Sequence, residues 1–267
     1  MKVSITALVG IFLGLSLFVL AVVFNTDNYL MFFSLSGFAM VIGGTVAAAM
    51  ISFEGRNVML AFKDILHTLM TAKVDPRKLY EDVGTLIDWS MMVRQEGLVH
   101  LEKKVDMDEA DKSFLNRSFV YLLSGYQGNR LRILLQHSKQ SIYDRNLAQV
   151  KVLLAMASAA PAFGMVGTLI GLIIMLNNMN GNPSEIGTGM AIALLTTLYG
   201  VMLAQLILKP AARKVEQNQD LEAYRNQVLT EGLVLLSEGA SPMVIEDAMN
   251  AFLDSDYQFE RADRNKK

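Results

Sequence analysis

Residues 152–208 read VLLAMASAAPAFGMVGTLIGLIIMLNNMNGNPSEIGTGMAIALLTTLYGVMLAQLIL. Over this whole stretch a single side chain is charged, Glu185. A polar break divides it into apolar runs at roughly 152–176 and 188–208. Each holds about 20 residues or more, and at ~1.5 Å per helical residue that length crosses the ~30 Å hydrocarbon core of a bilayer. Val3 to Ile51 repeats the pattern: Asp27 is the one charged residue, flanked by apolar runs at roughly 4–24 and 30–51. Four transmembrane helices are expected, in an all-α, polytopic membrane protein with helical cytoplasmic parts. The first run is too long for the roughly 7–15-residue apolar core of a signal peptide, and Asn25-Thr26-Asp27 is a poor cleavage site.

The composition agrees. Hydrophobic residues make up 52% of the 267 and charged residues 19%, below the ~25% of ordinary globular chains. Acidic and basic residues nearly cancel, at a net −2, so charge gives no reason to expect a nucleic-acid partner. There are no cysteines, which excludes disulfides, thiolate metal sites and cysteine nucleophiles. His67, His100 and His137 are scattered, so neither a metal cluster nor a cofactor is expected. No GxxxxGK[ST] loop is present for nucleotide hydrolysis.

Lys and Arg set the orientation. The short connections 25–29 and 177–187 carry none; all 24 lie at Lys2, in 52–151 or in 209–267. Both termini and the middle segment are therefore expected in the cytoplasm, giving four parts: 1–51 in the membrane, 52–151 cytoplasmic, 152–208 in the membrane and 209–267 cytoplasmic. The middle segment reads as helices over Asn57–Ala72, from Asp75-Pro76 to Gly97, and over Ser113–Ser124 and Leu131–Leu147. The last of these can run without a break into the third span. Beyond Pro210 a helix-prone stretch ends at Gly239, and Ser241-Pro242 starts a short helix to about Leu253.

At 100° per residue, Ser158, Pro161 and Thr168 share a sector about 80° wide in the third span, beside a stripe of Gly164, Gly167 and Gly171. Met190, Ala193, Thr197, Gly200 and Ala204 share a sector of about the same width in the fourth. Glycine stripes fit close helix packing, whereas a mid-helix proline beside stacked hydroxyls fits a surface facing an ion path. No span contains Asp, Glu, Lys, Arg or His. A proton relay needs a titratable group at depth, so either this chain is not a transporter or a partner supplies the acid while this chain lines the path. A hard cation such as sodium could use hydroxyl and carbonyl oxygens directly.

The strings Ala160-Pro-Ala-Phe-Gly-Met-Val-Gly-Thr-Leu-Ile-Gly171 and Met190-Ala-Ile-Ala-Leu-Leu-Thr-Thr-Leu-Tyr-Gly200 resemble the MotA/PomA flagellar stator A-subunits. So do Gly43-Gly44, Pro210 and the layout of two helices, a long loop and two helices. The resemblance covers essentially the whole chain and implies a ring of five such subunits around two B-subunits of MotB/PomB type. Each B-subunit has one membrane helix with an essential aspartate, and ion flow drives the ring against the rotor protein FliG in the bacterial inner membrane. Pro161 and Pro210 match the family's functional prolines, and Thr168, Thr196 and Thr197 match hydroxyls near the ion path where sodium could pass. Arg94-Gln-Glu-Gly-Leu-Val-His-Leu-Glu102 matches the FliG-contacting stretch, with Arg94, Glu96, Glu102 and Lys103 as expected rotor contacts. Two positions depart: Lys103 stands where some relatives have a second acid, and Gln95 where some have Lys. Some sodium-driven relatives carry an acid at the outer start of the second helix, where this chain has Ser34, with Asp27 the nearest acid. Thr168 and Thr196 lean toward sodium, and the ion stays open.

Two other readings compete. A relative of the wider group, of ExbB/TolQ type, would energise outer-membrane transport or gliding. A membrane enzyme such as an intramembrane protease would need a buried nucleophile with a base, and Ser158 has no His or Asp in any span.

Overall fold

The computed structural model describes residues 5–27, 29–70, 76–98, 100–101, 114–179 and 183–259. Helix α1 (Ile5–Asn25) and α2 (Leu35–Ser52) are joined through a 3-10 turn, Tyr29–Phe32. Then come α3 (Gly55–Met70), α4 (Pro76–Glu96), α5 (Phe114–Leu123) and the 50-residue α6 (Gly128–Asn177). Helix α7 (Pro183–Met202) passes through a π turn, Leu203–Leu208, into α8 (Lys209–Ser237); α9 (Pro242–Asn250) and a 3-10 turn, Ser255–Tyr257, complete the order. No strand occurs among the described residues.

Several boundaries have local causes. Helix α2 begins at Leu35, although the apolar run starts near 30, because the extended Ser34 caps it and its hydroxyl accepts the Gly37 N–H at 3.3 Å. Helix α4 starts at Pro76, where a missing N–H costs nothing, and stops before Gly97, whose φ of 84° no other residue adopts cheaply. Gly125 and Gly128 take positive φ in the turn between α5 and α6. Ser241 caps α9 by accepting the Val244 N–H at 3.4 Å, and α9 ends at Asn250, three residues before the expected end. Helix α7 opens at Pro183, five residues before the expected apolar run near 188, which shortens the polar connection.

Among the described residues, three helices are long and apolar enough to cross a membrane: Leu35–Ser52, α6, and the continuous run Ile186–Ser237. Helix α1 adds 21 residues, with an apolar stretch at Phe12–Asn25.

The chain divides into two units. The first comprises Met1–Ala72 and Asn146–Gln217. Its core is made of small and medium side chains: Ala49, Val58, Ala61, Leu153, Ala157, Ala160, Ala204 and Ala212 are buried. Its exterior is apolar, with Phe12, Phe24, Ile173 and Leu194 each more than 60% exposed. Such a surface suits hydrocarbon and not water. The second unit, Lys73–Arg145 with Asn218–Lys267, has a conventional core. Leu86, Ile87, Phe119, Leu131, Leu135, Leu229, Leu233, Ile245 and Met249 are fully buried, and Trp89 lies 4.8 Å from Phe119, ring to ring. Arg132–Glu231 and Arg225–Asp82 ion pairs stitch its helices. The hydrogen bond to Asp82 raises the Arg225 pKa above its ordinary value.

Within the first unit α6 and α7 touch backbone to backbone. A Cβ on Gly200 would stand 2.5 Å from the Ala160 carbonyl oxygen; on Gly171 it would stand 2.6 Å from the Ala193 nitrogen; on Gly164, 2.9 Å from the Thr196 oxygen. None of these atoms is the free end of a side chain, so the helices would have to separate. The glycine stripe is thus a packing seam. Gly200→Ala should cost about 1–3 kcal/mol by overpacking, against the ~1 kcal/mol that alanine normally gains in a helix. Gly55→Ala, with open space around it, should hold or raise stability. Thermal melts of the detergent-solubilised protein compare the two; equal melting would discount the seam.

Candidate ion-path site

The seam brings hydroxyls together. The Thr168 hydroxyl lies 2.6 Å from that of Thr197, 3.1 Å from the Ala193 carbonyl and 3.2 Å from the Gly164 carbonyl. Thr197 also reaches the Gly164 carbonyl, at 3.4 Å. Thr196 is fully buried and donates within its own helix, to the carbonyls of Ile192 at 3.0 Å and Ala193 at 3.1 Å. Each hydroxyl has one proton, so Thr168 and Thr197 bring two protons to four clustered oxygens, counting their own and the Gly164 and Ala193 carbonyls. The cluster is rich in acceptors and holds no formal charge. Such a group can replace part of the water around a cation without trapping it.

Glycine permits this geometry. A Cβ on Gly167 would lie 2.5 Å from the Thr196 hydroxyl oxygen, and one on Gly37 would lie 3.0 Å from its methyl group. Thr196 is therefore held between α6 and α2, with no room for a side chain on either side. Phe163 lies against Gly44, fixing α2 to α6 a second time.

The two prolines sit differently. Pro161 is half-buried inside α6, and the point of closest approach to Gly200 includes its Cα, at 3.1 Å from a Cβ built there. Gly200 is three residues, about one turn, from Thr197. Lacking an N–H, Pro161 leaves the Ala157 carbonyl without its helical donor. Pro210 is exposed and lies thirteen residues beyond Thr197, about 20 Å along the helix, outside the cluster. The π turn ends at its doorstep, with Lys209 donating to the Ala204 carbonyl five residues back. That wider turn accommodates the proline ring and keeps the helix continuous where the sequence suggests a stop. Ser158 is exposed and stands three residues before Pro161, so the structure does not bring it into the cluster.

Of the expected rotor contacts, Arg94 and Glu96 lie in the second unit. Arg94 is exposed in the last turn of α4, and Glu96 is exposed and pairs with His100 at 2.6 Å. Gly97 interrupts the helix immediately after, so no common helical face extends past it. Glu102 and Lys103 fall outside the described residues. Sequence reasoning passed over Tyr199, whose hydroxyl donates to the Phe32 carbonyl at 2.6 Å and accepts the Ser34 N–H at 2.9 Å. The available signal was chemical: a phenol in an apolar run needs a partner.

With this geometry established, comparison with known proteins is specific. A profile of the MotA/TolQ/ExbB proton channel family matches residues 106–228. Motility protein A of Cereibacter sphaeroides is 32% identical over 86% of this chain and 88% of its own length. Chemotaxis protein PomA of Vibrio alginolyticus is 27% identical over 94% of this chain and 96% of its own. The fold superimposes on a chain of the C. jejuni MotAB structure with a TM-score of 0.83 at 22% identity, covering 97% of this chain and 99% of that one. A helical chain whose hydroxyls meet along a glycine seam, and which shares nearly a third of its residues with a motility protein over most of both lengths, belongs to the MotA/TolQ/ExbB proton channel family.

Proposed function

We propose that this chain is the ion-conducting A-type subunit of a flagellar stator, coupling H+ or Na+ flow to torque on the rotor. The observation that carries this reading is the Thr168–Thr197 cluster: two hydroxyls and two carbonyls at the α6–α7 seam, with no Asp, Glu, Lys, Arg or His in either membrane run. Such a surface can pass a cation but cannot hold a proton, so the acid comes from a B-type partner of MotB/PomB kind. The relatives named motility protein A favour motility over the ExbB/TolQ-like alternative. Likeness to the solved C. jejuni MotAB structure and to the flagellar MotAB stator complex of Bacillus subtilis supports a B-type partner here.

The remaining parts of the reading are a multi-pass protein of the bacterial inner membrane, with four spans and both termini cytoplasmic. Five copies surround the B-subunits, and Arg94, Glu96, Glu102 and Lys103 meet FliG. Pro161 and Pro210 shape the two helices that border the path, and Thr168, Thr196 and Thr197 border it directly; a passing sodium ion would meet these hydroxyls. Each charge crossing delivers only ~2.3 kcal/mol per 100 mV, so torque accumulates over many small steps.

Three measurements test this. Thr168→Val keeps the side-chain shape and removes the hydroxyl that joins Thr197 to the Gly164 and Ala193 carbonyls; a polar contact to a charged species contributes about 1.5–3 kcal/mol, so ion-driven swimming should fall roughly tenfold or more. Unchanged swimming at normal membrane abundance would reject the role. Swimming with the B-type partner should stop in sodium-free medium that keeps the proton gradient; continued swimming assigns protons to the path. Reversing the charge of Arg94 and Glu102 together should cut torque while the subunits still assemble, and normal torque would remove the rotor assignment.

A further inference from the structure

Between α1 and α2 the backbone leaves the α-helix: the 3-10 turn spans Tyr29–Phe32, and Ser34 is extended at φ −122°, ψ 109°. This junction packs against Tyr199, sixteen residues into α7 and so about 24 Å along it from Pro183. It therefore lies level with the threonine cluster, well below the outer end of α7. At such depth non-helical backbone persists only where protein groups satisfy it. One phenol does this twice, donating to the Phe32 carbonyl at 2.6 Å and accepting the Ser34 N–H at 2.9 Å. Its ring meets Phe38 edge-on at 6.0 Å.

The start of α2 is thus tied to α7, and contacts lead from there to the cluster. Gly37, in the first turn after the Ser34 cap, seats on the Thr196 methyl. Thr196 donates to the Ala193 carbonyl, which also accepts from Thr168. We infer that Tyr199 is a positioning residue of the ion path: its hydroxyl holds α2 against Thr196, and so fixes the spacing at which the Ala193 carbonyl and the threonine hydroxyls meet a cation. This rests on the ion-path reading above. Tyr199 does not touch the ion; it sets how well the oxygens match it.

The test is Tyr199→Phe, which keeps the ring and removes only the two hydrogen bonds. Rotation speed is measured, with the B-type partner present, against the external concentration of the driving cation. The half-saturating concentration should rise roughly three- to tenfold, by more than any fall in maximal speed, at normal membrane abundance. A residue with a purely structural role would lower abundance and leave half-saturation in place. Gly37→Ala guards against a folding failure: it pushes α2 off Thr196 while leaving the phenol intact, and should shift half-saturation the same way. If both variants keep the wild-type half-saturation while Thr168→Val abolishes rotation, the positioning role is overturned and the ion-path reading stands. If Thr168→Val also rotates normally, both fall together.

Discussion

In hydrocarbon no water is available to complete a hydrogen bond, so each polar group of the membrane unit must be matched within the protein or by a partner chain. The α6–α7 seam is built around that constraint. Glycines at 164, 167, 171, 189 and 200 let the two backbones approach until carbonyls of one helix face hydroxyls of the other. A bulkier seam would leave Thr168 and Thr197 with only their own helices, as ordinary back-bonded threonines. Close approach is what joins the back-bonded Thr168 hydroxyl and the Thr197 hydroxyl into a shared cluster of oxygens. Packing and chemistry are therefore the same feature, and choosing between a glycine packing stripe and a polar path separates what the fold joins.

The prolines follow the same logic. Proline inside a helix deletes a donor and crowds the preceding turn. Pro161 is placed where Gly200 lets α7 come nearest, so the disturbed turn of α6 is covered by another backbone. Pro210 has a different remedy, a π turn over Leu203–Leu208 that changes the bonding register before the ring arrives. Local widening of this kind often marks functional segments, because it trades regular bonding for a place where the helix can adjust. Helix continuity survives both prolines. Consequently α6 and α8 each contribute residues to both units of the chain.

Charge absence made the membrane helices legible, and the caps made the soluble ones so: Pro76, Gly97, Gly239 and Ser241 act where their chemistry says they should. The start of α2 was hidden because Leu30–Phe33 is as apolar as the helix that follows, and only the Ser34 cap marks the change. A helical wheel placed Thr168 beside Ser158 and Pro161 and Thr197 among Met190, Ala193, Gly200 and Ala204, but it describes one helix at a time. It grouped Ser158 with Thr168 on angle alone. The register that sets Gly200 against Ala160, and so puts Thr197 rather than a neighbour beside Thr168, arises only from packing. For Tyr199 the phenol announces that a partner exists, but not which one: its partners are backbone groups more than 160 residues away.

On the proposed reading, the absence of an acid from the membrane helices is a condition for turning over ions quickly. A carboxylate fixed in this chain would bind a cation strongly and release it slowly, while neutral oxygens offer several weak contacts. With a driving force of only a few kcal/mol per ion, a deep well in the path would consume most of it. The charged step then belongs to the partner, and this chain supplies a surface whose value depends on geometry rather than charge. Geometry of that kind needs a stiff frame. Backbone-to-backbone helix contact is among the stiffest that a membrane protein has, since it leaves no side-chain rotamers to absorb a displacement.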